Sequence, residues 1–187
     1  MKKNYNGGCS CGEFRYRILD DPIFTHACHC TLCQKYTSSA FILHSAIETL
    51  NFSIQTGTSI NSKGPSGSGS LHKVFRCSKC LDQIYSQFNF IKNNNILILK
   101  TTTLDDPNLF PPQAHIFIEN KLNWVKLNDD IPKLDTAIIR IGELKQSLER
   151  FFNVIDGENQ YIDSLKEYVR SGIFSIYAQD SKTTTFE

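Results

Sequence analysis

Cys28-His29-Cys30-Thr31-Leu32-Cys33 packs three thiols into six residues, and the rest of the chain reads outward from this cluster. Four further cysteines stand in two short pairs, Cys9-Ser10-Cys11 upstream and Cys77-Ser78-Lys79-Cys80 downstream, which completes the seven in the sequence. The odd count, the C-x-C and C-x-x-C spacings and the lack of an apolar leader behind Met1-Lys2-Lys3 favour metal chelation over a disulfide framework. A reducing, cytoplasmic compartment is the matching expectation.

The bulk numbers narrow the class. A chain of 187 residues, 40% apolar and 21% charged, has ordinary globular composition and room for one well-packed domain plus an appendage. A formal net charge of +1 offers no electrostatic footprint for nucleic acid or an anionic membrane surface. No apolar run approaches the ~20 residues of a bilayer span; Ile96-Leu97-Ile98-Leu99 is strand-sized.

Period-two alternation marks strands around the cysteines. Phe14, Tyr16 and Ile18 face one way while Glu13, Arg15 and Arg17 face the other. Ile23 to Ala27 reads as a second strand delivering Cys28, and Thr31 to Tyr36 as a helical turn beneath the three thiols. Ala40–Leu43, Asn51–Gln55, Leu71–Arg76, Gln83–Phe90, Ile96–Lys100 and His115–Ile118 are further strands, with Trp124-Val125 after them. Asn93-Asn94-Asn95 suits a turn, since Asn tolerates the left-handed region. The Gly/Ser-rich stretch from Asn61 to Ser70 reads as a mobile loop. From about Lys133 the period changes. Ile141, Leu144, Leu148, Phe151, Phe152 and Ile155 recur at helical spacing to Asp156-Gly157, and Ile162, Leu165, Tyr168 and Val169 predict a second helix ending at Gly172. The expected division is therefore a β domain over 1–134 and a helical extension over 135–187. The apolar helical faces need a partner, either the sheet or a second copy of the chain in a homodimer.

Four thiolates in a tetrahedron form a closed structural zinc site, whereas three leave a position for chemistry. Cys9/Cys11 and Cys77/Cys80 fit a closed clamp tying the N-terminus to mid-chain. Cys28, Cys30 and Cys33 fit an open site that activates a thiol or polarises a carbonyl. Spacing alone leaves a second possibility for this trio, a fourth ligand from His26 or His29.

A wider set of motifs surrounds the cysteines: Gly7-Gly8-Cys9-Ser10-Cys11-Gly12 with Arg15-Tyr16, Cys28 to Lys35 with Ser39-Ala40-Phe41, and Phe75-Arg76-Cys77-Ser78-Lys79-Cys80. Leu104-Asp105-Asp106-Pro107, Pro112 to Phe117, Lys121 and Trp124 follow in order. This set resembles the glutathione-dependent formaldehyde-activating enzyme family, to which the centromere protein V domain also belongs, over roughly Tyr5 to Leu134. The resemblance implies a mainly β, zinc-containing fold of the Mss4-like or β-tent kind. It implies two zinc ions per chain, a structural one on Cys9, Cys11, Cys77 and Cys80 and a catalytic one on Cys28, Cys30 and Cys33. It also implies a carbon–sulfur lyase acting on adducts of a glutathione-like thiol with formaldehyde or a similar aldehyde, of the S-(hydroxymethyl)glutathione synthase kind. Two positions depart from the family pattern: Leu81, where Gly usually follows the last cysteine, and Ser38, where Gly precedes Ser-Ala-Phe.

Other residues receive plainer readings. His115 is expected to be a buried, hydrogen-bonded histidine, with a proton-carrying role as the alternative. His44 and His72 read as surface or hairpin residues, Asp105-Asp106-Pro107 as a turn, and Phe110 and Trp124 as core. Gln34 and Lys35 follow the last thiol and are candidates for reaching a substrate, Lys35 through a carboxylate. The rival class is a non-catalytic, zinc-stabilised protein-interaction module, its partner docking on the helical extension or the sheet.

Overall fold

The computed structural model describes residues 3–65, 71–88, 94–135, 138–140 and 173–175. Strands dominate them. In order they are β1 (Tyr5–Gly8), β2 (Arg15–Ile18), β3 (Phe24–Cys28), helix α1 (Thr31–Thr37), β4 (Ile42–Glu48), β5 (Phe52–Thr56), β6 (Ser59–Pro65) and β7 (Leu71–Cys77). Then come β8 (Gln83–Phe88), β9 (Ile96–Lys100), β10 (His115–Ile116), β11 (Lys133–Leu134), β12 (Ile138–Arg140) and β13 (Ile173–Ser175). Strands β1, β2 and β5 make a small sheet, and an eight-stranded sheet runs β11-β10-β3-β4-β9-β8-β7-β6. Pairing is antiparallel except at β10, which lies parallel to both β3 and β11.

The alternation in β2 sets one layer of the core. Phe14, Tyr16 and Ile18 are almost fully buried and join Ile47, Leu97, Leu99, Ile84 and Leu104 in one cluster spanning both sheets. The rings of Tyr16, Phe52, Tyr85 and Phe75 follow one another through it at centroid separations of 5.1, 5.0 and 4.4 Å. Burying each such side chain contributes about 1.5–3 kcal/mol, so this layer carries the fold.

Every residue of β3 and β9 is buried, as expected of central strands covered on both faces. Their second face carries a polar row among apolar side chains. His26 pairs with His44 and His44 with Lys100 across β3, β4 and β9, so the three side chains form a row on the face opposite the core cluster. A bulge in β8 adds to this face. Phe75 pairs with Tyr85 but Arg76 with Gln83, leaving Ile84 as the extra residue and bringing Gln83 onto the side of Ser86. Above the row sit α1 and the turn at Phe117, where Leu32, Cys33 and Phe117 pack on Cys28, Cys30, Ile42 and Ile116.

Several sequence expectations need correction. Asn61 to Pro65 is strand β6, paired along its whole length with β7; it is an edge strand, where Gly and Pro are tolerated because one side of the ladder is free. His44 and His72 are buried, and Trp124 is 71% exposed. The late strand at His115 is two residues long because Phe117 turns the chain with φ at 56°. Asn94 does take the left-handed conformation expected of its turn. The helical readings over 141–172 lie outside the described residues, and the two described pieces of the extension, β12 and β13, pair antiparallel.

Candidate metal centres and active site

Local geometry gathers the three central thiols. Strand β3 ends at Cys28, and alternation then sends Cys28 and Cys30 to one side and His29 to the other. Cys30 caps α1: its Sγ accepts from the Cys33 N–H at 3.4 Å, which draws Cys33 round to the same point. Ser38 ends the helix in the left-handed conformation, its N–H donating to the Gln34 carbonyl. One donor sulfur from each of Cys28, Cys30 and Cys33 lies within 4.8 Å of the others. All seven cysteines are free thiols.

His29 is fully buried and bonded through Nε2 to His115 Nδ1 at 2.9 Å, while His115 Nε2 meets Asp129 Oδ2 at 2.8 Å. A carboxylate can only accept, so His115 carries its proton on Nε2 and accepts from His29 at Nδ1. His115 is thus the hydrogen-bonded buried histidine that its strand position suggests. Neither His26 nor His29 joins the donor group around the three sulfurs. Gln34 Nε2 donates to the His29 and Asn120 carbonyls at 2.7 and 2.8 Å, so this side chain holds the cysteine loop and does not reach outward. Lys35 is exposed and lines neither cavity described below.

The second group forms where the β1–β2 turn meets the β7–β8 turn. Donor sulfurs of Cys9, Cys11, Cys77 and Cys80 all lie within 4.8 Å of one another, with Cys9 to Cys11 at 3.4 Å and Cys11 to Cys77 at 3.9 Å. Backbone N–H groups of Phe14 and Lys79 point at the sulfurs of Cys9 and Cys77. Asp82 Oδ2 accepts from Ser10 N at 2.7 Å and laces the two turns together. Leu81, at φ 65°, adopts the left-handed conformation that Gly takes without strain.

The electrostatics of both groups suit a cation. Three thiols cannot all ionise side by side: hydrogen bonds from Cys28 and Cys33 pull Cys30 down to about 3, and the bond with Cys30 pushes Cys28 well up. A divalent ion removes that conflict by stabilising every thiolate at once. The donor sets therefore fit metal ions, and sulfur donors suit zinc.

The three sulfurs form one wall of a cavity of about 40 Å³. The sheet supplies its floor with His44, Ser86 and Lys100, and Tyr36, His72, Phe88 and Phe117 close the sides. Lys100 Nζ donates to His44 Nε2 at 2.8 Å. Burial pulls Lys100 down to about 8 against the thiols of Cys33 and Cys28, which hold it up. Burial also keeps His44 neutral, with Lys100 adding to the effect. A wider groove of about 940 Å³ shares Tyr36, Ile42, Gln83 and Lys100 with the cavity. Sequence reasoning missed Lys100 and Ser86; the signal for Lys100 was the apolar run Ile96–Leu99, which predicts that the next residue on the pleat is buried too.

Among solved structures, a Rhodobacter sphaeroides protein is similar at 14% identity and a TM-score of 0.40, covering 68% of this chain and 98% of its own. No curated protein sequence matches. Residues 4–120, which hold both cysteine groups, match the sequence profile described as glutathione-dependent formaldehyde-activating enzyme, and the chain belongs to that family.

Proposed function

We propose that the protein makes and breaks carbon–sulfur bonds between a small thiol of the glutathione kind and an aldehyde carbon such as formaldehyde. The observation that carries this reading is the trio Cys28, Cys30 and Cys33 forming one wall of a cavity. Four sulfurs at Cys9, Cys11, Cys77 and Cys80 would hold a structural zinc, and the trio a second zinc. Bound at the trio, zinc supplies a Lewis acid that favours the thiolate form of an incoming thiol at neutral pH.

The chain's own residues do the rest. Cys30 fixes the metal-binding loop to the start of α1, and Gln34 anchors that loop to Asn120. Leu32, Phe88 and Phe117 give the cavity apolar sides that keep bulk water from competing for an electrophilic carbon. The chemistry asked of the site is an addition and its reverse, with no redox change.

The test is turnover by the zinc-loaded full chain. Formation of the hydroxymethyl thioether from glutathione and formaldehyde, followed by NMR, should exceed the uncatalysed rate. Cys30→Ala should abolish that excess and weaken thiol binding. Protein carrying two zinc ions per chain that turns over no thiol–aldehyde pair would overturn the proposal.

A further inference from the structure

The sulfur side of the cavity has an evident owner in the three cysteines, but an addition to an aldehyde also develops charge on oxygen. Two polar groups with spare hydrogen-bonding capacity line the same space from its floor. Lys100, only 6% exposed, has His44 Nε2 as its hydrogen-bond partner. No carboxylate among the described residues lies within ion-pair distance of it. An ammonium has three donors, so its bond to His44 leaves two. On the neighbouring strand the Ser86 hydroxyl is buried and has no partner among the described residues. Ser86 pairs with Ile98, two residues before Lys100 on the same face, and both side chains line the cavity with the three sulfurs.

A lysine in an apolar interior is costly unless something needs its charge. Balancing the thiolates is one such need. It does not account for Ser86, nor for His44, a neutral acceptor whose Nδ1 is itself without a partner and whose Nε2 fixes the ammonium in place. We infer that Lys100, seated on His44, and the Ser86 hydroxyl form a binding site for the substrate's oxygen: the carbonyl oxygen of the aldehyde and the hydroxyl of its thiol adduct.

This rests on the carbon–sulfur reading above. In the forward step a sulfur lone pair forms the S–C bond while the carbonyl π pair moves onto oxygen. The Lys100 ammonium gives a proton to that oxygen and is restored by the proton the thiol releases, so thiol plus aldehyde gives a neutral hydroxyalkyl thioether with no oxidant or reductant. Lys100 and Ser86 touch the reacting oxygen and are catalytic residues; His44 is a positioning residue.

The experiment compares two thioethers of equal length, S-(2-hydroxyethyl)glutathione and S-propylglutathione, by calorimetry on the zinc-loaded full chain. The wild type should prefer the hydroxyl compound on the order of tenfold, the size of a hydrogen bond to a charged donor. Lys100→Met should abolish the preference while leaving zinc content and S-propylglutathione affinity unchanged. A variant that weakens both thioethers equally would assign Lys100 to charge balance and overturn the inference, as would a preference that survives the substitution or is absent from the wild type. If Lys100→Met does not fold or loses zinc, Ser86→Ala decides: it should cut the preference several-fold, and an intact preference overturns the inference. Failure of turnover with the hydroxyl preference intact would sink the lyase reading and leave the oxygen site standing.

Discussion

Leu81 and Ser38 are non-glycine residues in the left-handed conformation that Gly takes without strain. Both hold positive φ, 65° and 50°, where a side chain costs about 1–2 kcal/mol relative to Gly. Leu81 is 55% exposed, so Gly there would forfeit little burial. Leu81→Gly should raise the urea midpoint by an amount corresponding to about 1 kcal/mol at unchanged m-value. His26 acts in the opposite direction. Burial first, then the charge of Lys100, lowers it from 6.5 to about 4, so the unfolded chain takes up a proton there before the folded one does. Its share of stability is complete above pH 6.5 and drains away as pH falls toward 4, to a total of about 3 kcal/mol. His26→Phe should therefore lose less stability than the wild type between pH 6.5 and 5 in chemical unfolding.

Helix α1 is too short to be stable by itself; it exists because both of its ends are tied. Cys30 caps the start and Gln34 pins the first turn to two carbonyls. Gln34→Ala should weaken metal binding at the Cys28/Cys30/Cys33 group by roughly 10–100-fold, as loss of supporting contacts does elsewhere. The four-cysteine group should keep its affinity, which a chromogenic chelator titration would resolve as one weakened site in two. At this scale the sequence was largely readable: alternation located β2 and β8, short apolar runs located β3, β7 and β9, and a helical turn was expected at α1. Strand β6 was not, because Lys63-Gly64-Pro65 has loop composition and only its edge position explains why it is a strand. The polar row was not readable either. His44 and Lys100 flank apolar runs, where composition suggests a strand end in water; only register shows that His26, His44 and Lys100 are neighbours.

For the molecule as a whole the decisive feature is a sheet with two unlike faces, one packed against the small sheet and one carrying the row of His26, His44 and Lys100 beneath the three sulfurs. The four-cysteine clamp sits at the rim of the apolar cluster, with Cys9 and Cys77 inside it, so a metal ion held there would be coupled to global stability. Cys77→Ser should lower the thermal midpoint by roughly 10 °C or more, since metal binding at such a site is folding free energy. Cys33→Ser, away from that cluster, should leave most of the thermal stability and remove the thiol-binding activity; differential scanning calorimetry beside a thiol-binding assay separates the two.

The clamp also sets an order of events during synthesis. Cys9 and Cys80 are 71 positions apart (80 − 9), and at roughly 5–20 residues per second the ribosome needs about 4–14 s to pass from one to the other. Throughout that interval the N-terminal thiols are bare, and β2 has none of β7 to β9 to pack against. A nascent chain is thus open to oxidation and mispairing until its eightieth residue has emerged, and a metal ion taken up by the four sulfurs would close that window.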